Sequence, residues 1–418
     1  MDKMLIRGGR PLRGTTTVSG SKNAALPILM ASLLTSEPVV LHNVPRLRDV
    51  RTAISLLEGL GAKARWLDEH SLELHAAQVT GYEASYDLVK TMRASFVVLG
   101  PILARTGRAR VSTPGGCAIG ARPVNLHIGG LRALGARIQL RNGYVEARAD
   151  HLTGARLWLD NPSVGATENI MMAAALGQGH TTIENAAREP EVQDLGRLLV
   201  AMGARITGTG THVIAIEGVA RLHGAEHRVI PDRIEAGSLM VAAAITGGDV
   251  VVENAPVEQL DAVITKLRET GVNVTVQNGG LRVVADGALQ PIELRTLPYP
   301  GFPTDLQAQM MALLTQAAGT SVITETIFEN RFMHAQELLR MGADIVMKGA
   351  TAVVRGPARL SGAPVMATDL RASMGLILAG LAADQETAVS RVYHLDRGYE
   401  ALDQKLQALG AAIERVAE

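Results

Sequence analysis

Cysteine is almost absent: Cys117 is the only one in 418 residues, so no disulfide can form within the chain and its stability must come from packing. Aromatics are scarce as well, with two Trp, six Tyr and four Phe, which leaves little for stacking on bases. Neither sign of charge dominates, since 41 Lys and Arg balance 41 Asp and Glu, and a chain without a basic field is a poor match for nucleic acid. Long apolar runs are missing too. Stretches such as Leu239 to Ile245 fall far short of a membrane span, and Met1-Asp2-Lys3-Met4 opens no signal-peptide core, so a cytoplasmic protein without membrane insertion is expected. No P-loop, dinucleotide-binding glycine pattern or Gly-x-Ser-x-Gly elbow stands in a supporting context. His223 and His227 resemble half a metal site, but they lie in a polar connector with no third ligand in view, so zinc is not expected.

What the chain does have is glycine at regular places. Six times an amphipathic helical pattern ends on a glycine and runs into a β-like segment, at Gly61, Gly135, Gly203, Gly271, Gly342 and Gly410. Successive glycines lie 74, 68, 68, 71 and 68 residues apart, which makes the chain a six-fold repeat. Each glycine reads as the left-handed cap that stops its helix, and a hairpin follows, clearest around Asn142-Gly143. Each unit also carries a second helix, rich in Ala, Gly and Met and apolar nearly all round: near Ala24–Leu34, Ala94–Ala104, Ala166–Leu176, Ala236–Ile245, Leu306–Leu314 and Ala372–Leu381. A helix without a polar face must be buried.

The expected fold is therefore an α/β protein of two domains, each with three βα units whose sheets face outward around buried inner helices. The last unit lacks a return strand, and Met4-Leu5-Ile6-Arg7-Gly8 resembles the return strands of the others, so the N-terminus is expected to complete the sixth unit. The chain then crosses between domains twice, giving one domain over residues 22–229 and a second over 1–21 plus 230–418.

Polar residues that sit oddly for a core gather at the starts of the buried helices: Lys22-Asn23, Arg93, Ser163-Val164-Gly165, Asp232-Arg233, Thr304-Asp305 and Asp369-Leu370-Arg371. Helix starts offer unpaired N–H groups and positive dipole ends, and with Lys22, Arg93, Arg122, Arg371 and Arg397 they suit a ligand carrying several negative charges. Taken alone, Asp232 and Asp369 read first as ordinary N-caps, and Arg331 and Arg340 read also as solvated or salt-bridged surface residues. Cys117 lies among Gly115, Gly116 and Gly120 with Arg122 five residues on, a setting for a reactive thiolate as well as for an inert thiol.

Ser19-Gly20-Ser21-Lys22-Asn23-Ala24-Ala25-Leu26-Pro27, Lys90-Thr91-Met92-Arg93-Ala94-Ser95, Pro114 through Pro123, Pro300-Gly301-Phe302-Pro303-Thr304-Asp305 and Asp369-Leu370-Arg371-Ala372 together resemble the UDP-N-acetylglucosamine enolpyruvyl transferases along the whole chain. The resemblance implies two domains of three inside-out α/β units and transfer of enolpyruvyl from phosphoenolpyruvate to the 3′-hydroxyl of UDP-N-acetylglucosamine, with no metal or cofactor. It implies Cys117 as proton donor and Asp305 as the base for the sugar hydroxyl, with Lys22, Arg122 and Arg397 holding phosphoenolpyruvate. Asn23, Arg93, Arg122, Pro123, Val124, Asn125, Leu126, Ser163, Val164, Gly165, Asp305 and Ile327 would line the nucleotide-sugar site, and Arg331, Asp369 and Arg371 complete the substrate-binding set. Asn125 and Asn161-Pro162 depart from residues some relatives have there. The nearest alternative of the same architecture is a 3-phosphoshikimate enolpyruvyl transferase, and a UDP-sugar-binding paralogue without turnover is the alternative from another class.

Overall fold

The computed structural model describes residues 2–113, 124–277 and 279–417. Cys117, Arg122 and Pro123 lie outside the described residues.

Among the described residues, six four-stranded sheets share one plan. In one of them, Glu226–Arg228 runs parallel to Val39–His42, which pairs antiparallel with Leu72–His75, which pairs antiparallel with Lys63–Trp66. The repeat glycines end the amphipathic helices with φ of +104° at Gly61, +93° at Gly135, +98° at Gly203, +89° at Gly271, +95° at Gly342 and +96° at Gly410. Only glycine adopts that region without a Cβ penalty, which is why the sequence period is visible at this residue. The hairpin at Asn142 and Gly143, with φ of +51° and +77°, joins Arg137–Arg141 to Tyr144–Arg148.

The N-terminal segment completes the sixth unit. Asp2–Arg7 lies between Glu386–Ser390 and Ala412–Ala417, antiparallel to both, with Ile6 opposite Thr387 and Ile413. Two edge strands change places. Arg13–Thr17 precedes the first inner helix yet pairs with Asp249–Glu253, while Glu226–Arg228 precedes the fourth inner helix yet pairs with Val39–His42. By contacts, residues 2–19 and 231–417 form one compact unit, and the described residues between 20 and 230 form another, each with three sheets.

The inner helices are Lys22–Ala31, Leu99–Thr106, Val164–Ala175, Arg233–Ile245, Gln307–Leu314 and Leu370–Ala382. Every residue of Arg233–Ile245 is buried, as the missing polar face requires. Small residues set the spacing: a Cβ added at Gly375 would lie 2.9 Å from the Ala308 carbonyl oxygen of the neighbouring inner helix, so a larger side chain there would force the two apart. Each large apolar side chain in these two cores contributes about 1.5–3 kcal/mol by burial.

Two inner helices begin with a tighter 3-10 turn than the sequence pattern suggests, at Arg93–Val98 and Thr304–Leu306. In the first, the Asn169 amide takes both halves of an α-helical bond. Its Oδ1 accepts from Gly100 N–H at 2.6 Å, and its Nδ2 donates to the Phe96 carbonyl at 3.5 Å. These two backbone groups would otherwise bond each other in an α-turn.

Candidate active site

In the unit spanning residues 20–230, Lys22 and Asn23 open an inner helix that Ser21 caps by accepting from Ala24 N–H at 3.3 Å. Lys22 Nζ stands 3.2 Å from Asp49 Oδ2, and Asp49, in the first turn of Arg48–Gly59, is 2 % exposed. Ser163 caps Val164–Ala175 through Ala166 N–H. Val124 stands before the helix Asn125–Ala133, in which Asn125 is exposed, Leu126 half-buried and His127 buried. A Cβ at Gly165 would lie 3.2 Å from His127 Cε1, so the absence of a side chain makes room for the imidazole.

His127 is edge-on to Phe96, with ring centres 5.1 Å apart. The Asn169 amide lies 3.0 Å from His127 Nδ1, and since Asn169 Oδ1 is occupied by Gly100, its NH2 donates and Nδ1 accepts. That fixes a neutral ring with the proton on Nε2. Burial, with the charge of Arg93 second, pushes the imidazole pKa down to about 3. Glu168, deeper on the Val164–Ala175 helix, is shifted the other way by burial and by Glu191 and Glu189, and its Oε1 has no hydrogen-bond partner among the described residues.

The second unit holds Asp305 in a clamp. Arg331 Nη2 donates to its Oδ1 at 2.8 Å and Arg371 Nη2 to its Oδ2 at 2.7 Å. Both arginines are buried, so Arg331 is not the surface residue that the sequence left open as a reading. Arg340 is exposed. Burial opposes the Arg371 charge, but Asp305 and then Tyr399 and Asp232 outweigh it and its pKa is raised.

Tyr399 Oη, Ser238 Oγ and Gln309 Nε2 form a buried triangle with sides of 2.8, 3.1 and 3.1 Å, and Gln309 Nε2 also donates to the Asp305 carbonyl at 3.0 Å. Asp369 Oδ1 accepts from Arg371 and Ala372 N–H, and Asp232 Oδ1 from Ile234 and Glu235 N–H, so both act as N-caps. Arg397 ends the 3-10 turn Val392–Arg397, half-buried and two residues before Tyr399. Ile327 is reached through Glu325, whose carboxylate accepts from its N–H at 2.8 Å.

The structure thus joins Asp305, Arg331 and Arg371 by direct contact, and sets Lys22 on Asp49 and Gly165 against His127. His227 Nε2 faces Asp194 at 3.1 Å and His223 Nδ1 faces the Gly224 carbonyl at 2.8 Å. Among the described residues no group of three or more His, Cys, Asp or Glu is placed to hold a metal ion, and no helix is long and apolar enough to cross a membrane.

A family model described as EPSP synthase (3-phosphoshikimate 1-carboxyvinyltransferase) matches residues 6–406. A UDP-N-acetylglucosamine 1-carboxyvinyltransferase from Solidesulfovibrio magneticus is 59% identical over 416 residues, covering 100% of both chains. The chain belongs to the UDP-N-acetylglucosamine 1-carboxyvinyltransferase family. Another member, from Geotalea uraniireducens, is 57% identical over 418 residues, again across 100% of both. Among solved structures, the enolpyruvyl transferase NikO from Streptomyces tendae superposes with a TM-score of 0.89 at 25% identity, covering 100% of this chain and 99% of that one. An EPSP synthase from Acinetobacter baumannii, at 19% identity and a TM-score of 0.77 over 100% of both chains, shares the inside-out α/β fold. Lys22-Asn23 and Thr304-Asp305 stood out in the sequence, but Asp49, His127, Glu325 and Tyr399 did not. Glu325 had a readable signal: it follows the strand Gly319–Thr324 where Asn43, Asn185 and Asn254 follow theirs.

Proposed function

We propose that this protein transfers the enolpyruvyl group of phosphoenolpyruvate to the 3′-hydroxyl of UDP-N-acetylglucosamine, releasing inorganic phosphate and UDP-N-acetylglucosamine-enolpyruvate, as the first committed step of peptidoglycan synthesis in the cytoplasm. The hydroxyl oxygen adds to C2 of phosphoenolpyruvate while a proton is delivered to the C3 methylene. The tetrahedral adduct then loses phosphate from C2 and a proton from C3, restoring the double bond. Asp305 takes the hydroxyl proton, Cys117 supplies the proton at C3, and Lys22, Arg122 and Arg397 hold the phosphate and carboxylate of the donor.

The observation that carries this reading is the Asp305 carboxylate gripped at both oxygens, by Arg331 at 2.8 Å and Arg371 at 2.7 Å. Two guanidinium groups favour the carboxylate form and fix its plane, so the base is ionised and aimed before the acceptor arrives. Full-length identity to named members of the family supports the acceptor.

The family model and the shared fold favour 3-phosphoshikimate as the competing acceptor. Phosphate release with phosphoenolpyruvate and each acceptor in turn separates the two. Release with UDP-N-acetylglucosamine alone is expected; release with 3-phosphoshikimate alone overturns the assignment.

A further inference from the structure

Glu325 stands at the centre of a buried hydrogen-bond chain. Its Oε1 accepts from the Thr296 hydroxyl at 2.8 Å and from the N–H groups of Ile327 and Phe328 at 2.8 and 3.2 Å. Its Oε2 accepts from the Thr304 hydroxyl at 2.8 Å. Thr304 Oγ1 in turn receives Arg331 Nη1 at 2.9 Å, and Arg331 Nη2 reaches Asp305 Oδ1 at 2.8 Å. The directions follow from the chemistry. A guanidinium can only donate, so the Thr304 oxygen accepts from Arg331, and its one proton goes to Glu325.

The equivalent position elsewhere has another task. Asn43, Asn185 and Asn254 follow the matching strands in left-handed geometry, and their amides donate to the carbonyls of Val229, Leu159 and Val18 at 2.8, 2.7 and 2.9 Å. Each ties its strand end to the segment entering an inner helix. In the unit that carries Asp305, an acceptor replaces that donor, and it binds hydroxyls and N–H groups instead of a carbonyl.

We propose that Glu325 is a positioning residue for the reaction. Through Thr304 it holds the fork of Arg331 against Asp305. Through the N–H groups of Ile327 and Phe328 it anchors the segment next to the expected nucleotide-sugar contact at Ile327. The inference rests on the reading of Asp305 as the base. Without the Thr304 oxygen, Arg331 keeps a single contact to the carboxylate and loses the second point that defines the plane of its fork, so the lone pair that must meet the sugar hydroxyl is no longer aimed.

The test is steady-state kinetics on Glu325→Gln, Thr304→Val and Thr304→Ser, alone and combined with Asp305→Asn, with a thermal melt of each to confirm folding. In Glu325→Gln one carbonyl oxygen still serves Thr296, Ile327 and Phe328, while the NH2 group faces Thr304 and leaves its proton without an acceptor. Glu325→Gln and Thr304→Val should lower kcat about 10- to 100-fold with both KM values within about threefold, and Thr304→Ser should stay near wild type. In the Asp305→Asn background the same changes should add less than about twofold, because they act through the group already removed. Wild-type kcat in Glu325→Gln and Thr304→Val, or losses that multiply fully onto Asp305→Asn, would overturn the proposal while leaving the base reading in place. Wild-type kcat in Asp305→Asn alone would overturn both. If Glu325→Gln does not fold, the Thr304→Val and Thr304→Ser pair decides through the same link.

Discussion

Lys22 Nζ lies 3.2 Å from Asp49 Oδ2, a pair in which the lysine side chain is 13% and the aspartate 3% exposed. The ammonium at the start of an inner helix is thereby held by a carboxylate on the amphipathic helix Arg48–Gly59. Asp49→Asn keeps the shape and removes the charge. It should raise KM for phosphoenolpyruvate about tenfold, with kcat changed less, and lower the melting temperature because a largely buried cation loses its countercharge. Kinetics varied in phosphoenolpyruvate, beside a melt of the same sample, checks both parts.

Asp305→Ala removes the carboxylate between Arg331 and Arg371. The kcat should fall by on the order of 10² to 10⁴, with nucleotide-sugar affinity weakened far less. Two buried guanidinium groups then lose the carboxylate they share, so stability should drop by about 3 kcal/mol. Rapid-quench turnover, calorimetric binding of UDP-N-acetylglucosamine and a urea melt measure the three separately, and a variant with near wild-type kcat would remove Asp305 from the mechanism.

His127 predicts a pH dependence. Its folded pKa, about 3, lies below the ordinary 6.5 because burial and then Arg93 disfavour the charged ring. Between those values the unfolded chain binds the extra proton, so unfolding free energy rises with pH in that window. The contribution is intact above about pH 6.5 and is lost as the pH falls towards 3, at up to about 1.4 kcal/mol per pH unit. Glu168, with its pKa raised by burial, works in the opposite sense as pH rises above 4.5, so wild type must be compared with His127→Gln. The variant should show a flatter loss of stability from pH 6.5 to 5, and NMR should find the wild-type ring neutral, protonated on Nε2, at pH 5.

Cys117 is expected to be alkylated by a small epoxide phosphonate such as fosfomycin, whose phosphonate stands in for the phosphate of the donor. Attack needs the thiolate, so the rate should climb with pH through the thiol pKa and fall when Lys22 or Arg397 is replaced. Intact-mass spectrometry should show the adduct on wild type and none on Cys117→Ser. Cys117→Asp, which restores an ionisable acid, should turn over while resisting the reagent. An unlabelled wild type would mark the thiol as inert.

The repeat was legible because it is written locally. A glycine at each helix end and a helix with no polar face are properties of short stretches, and Gly61 through Gly410 and Arg233–Ile245 adopt the forms those stretches dictate. The clamp was half legible. Asp305 stood out at a helix start, but Arg331 and Arg371 lie 26 and 66 residues further along, and a charge does not announce whether it will meet solvent or a distant carboxylate. Asp49 and Glu168 were hidden for the same reason, each looking like an ordinary polar residue of a helix. Glu325 was missed although its three asparagine counterparts recur with the repeat, because the asparagines read as turn residues and the glutamate breaks the pattern.

The strand Asp2–Arg7 is synthesised far ahead of the neighbours on both its sides, Glu386–Ser390 and Ala412–Ala417. It therefore waits without these partners until they emerge. The unit between residues 20 and 230 has no such wait, since its last sheet closes when Glu226–Arg228 emerges beside Val39–His42. Biogenesis acquires an order: one half can mature on the growing chain, while the half holding Asp305 closes only once Ala412–Ala417 has been made. A nascent chain stalled anywhere before residue 412 would carry a sheet with an open side, a template for the wrong partner strand.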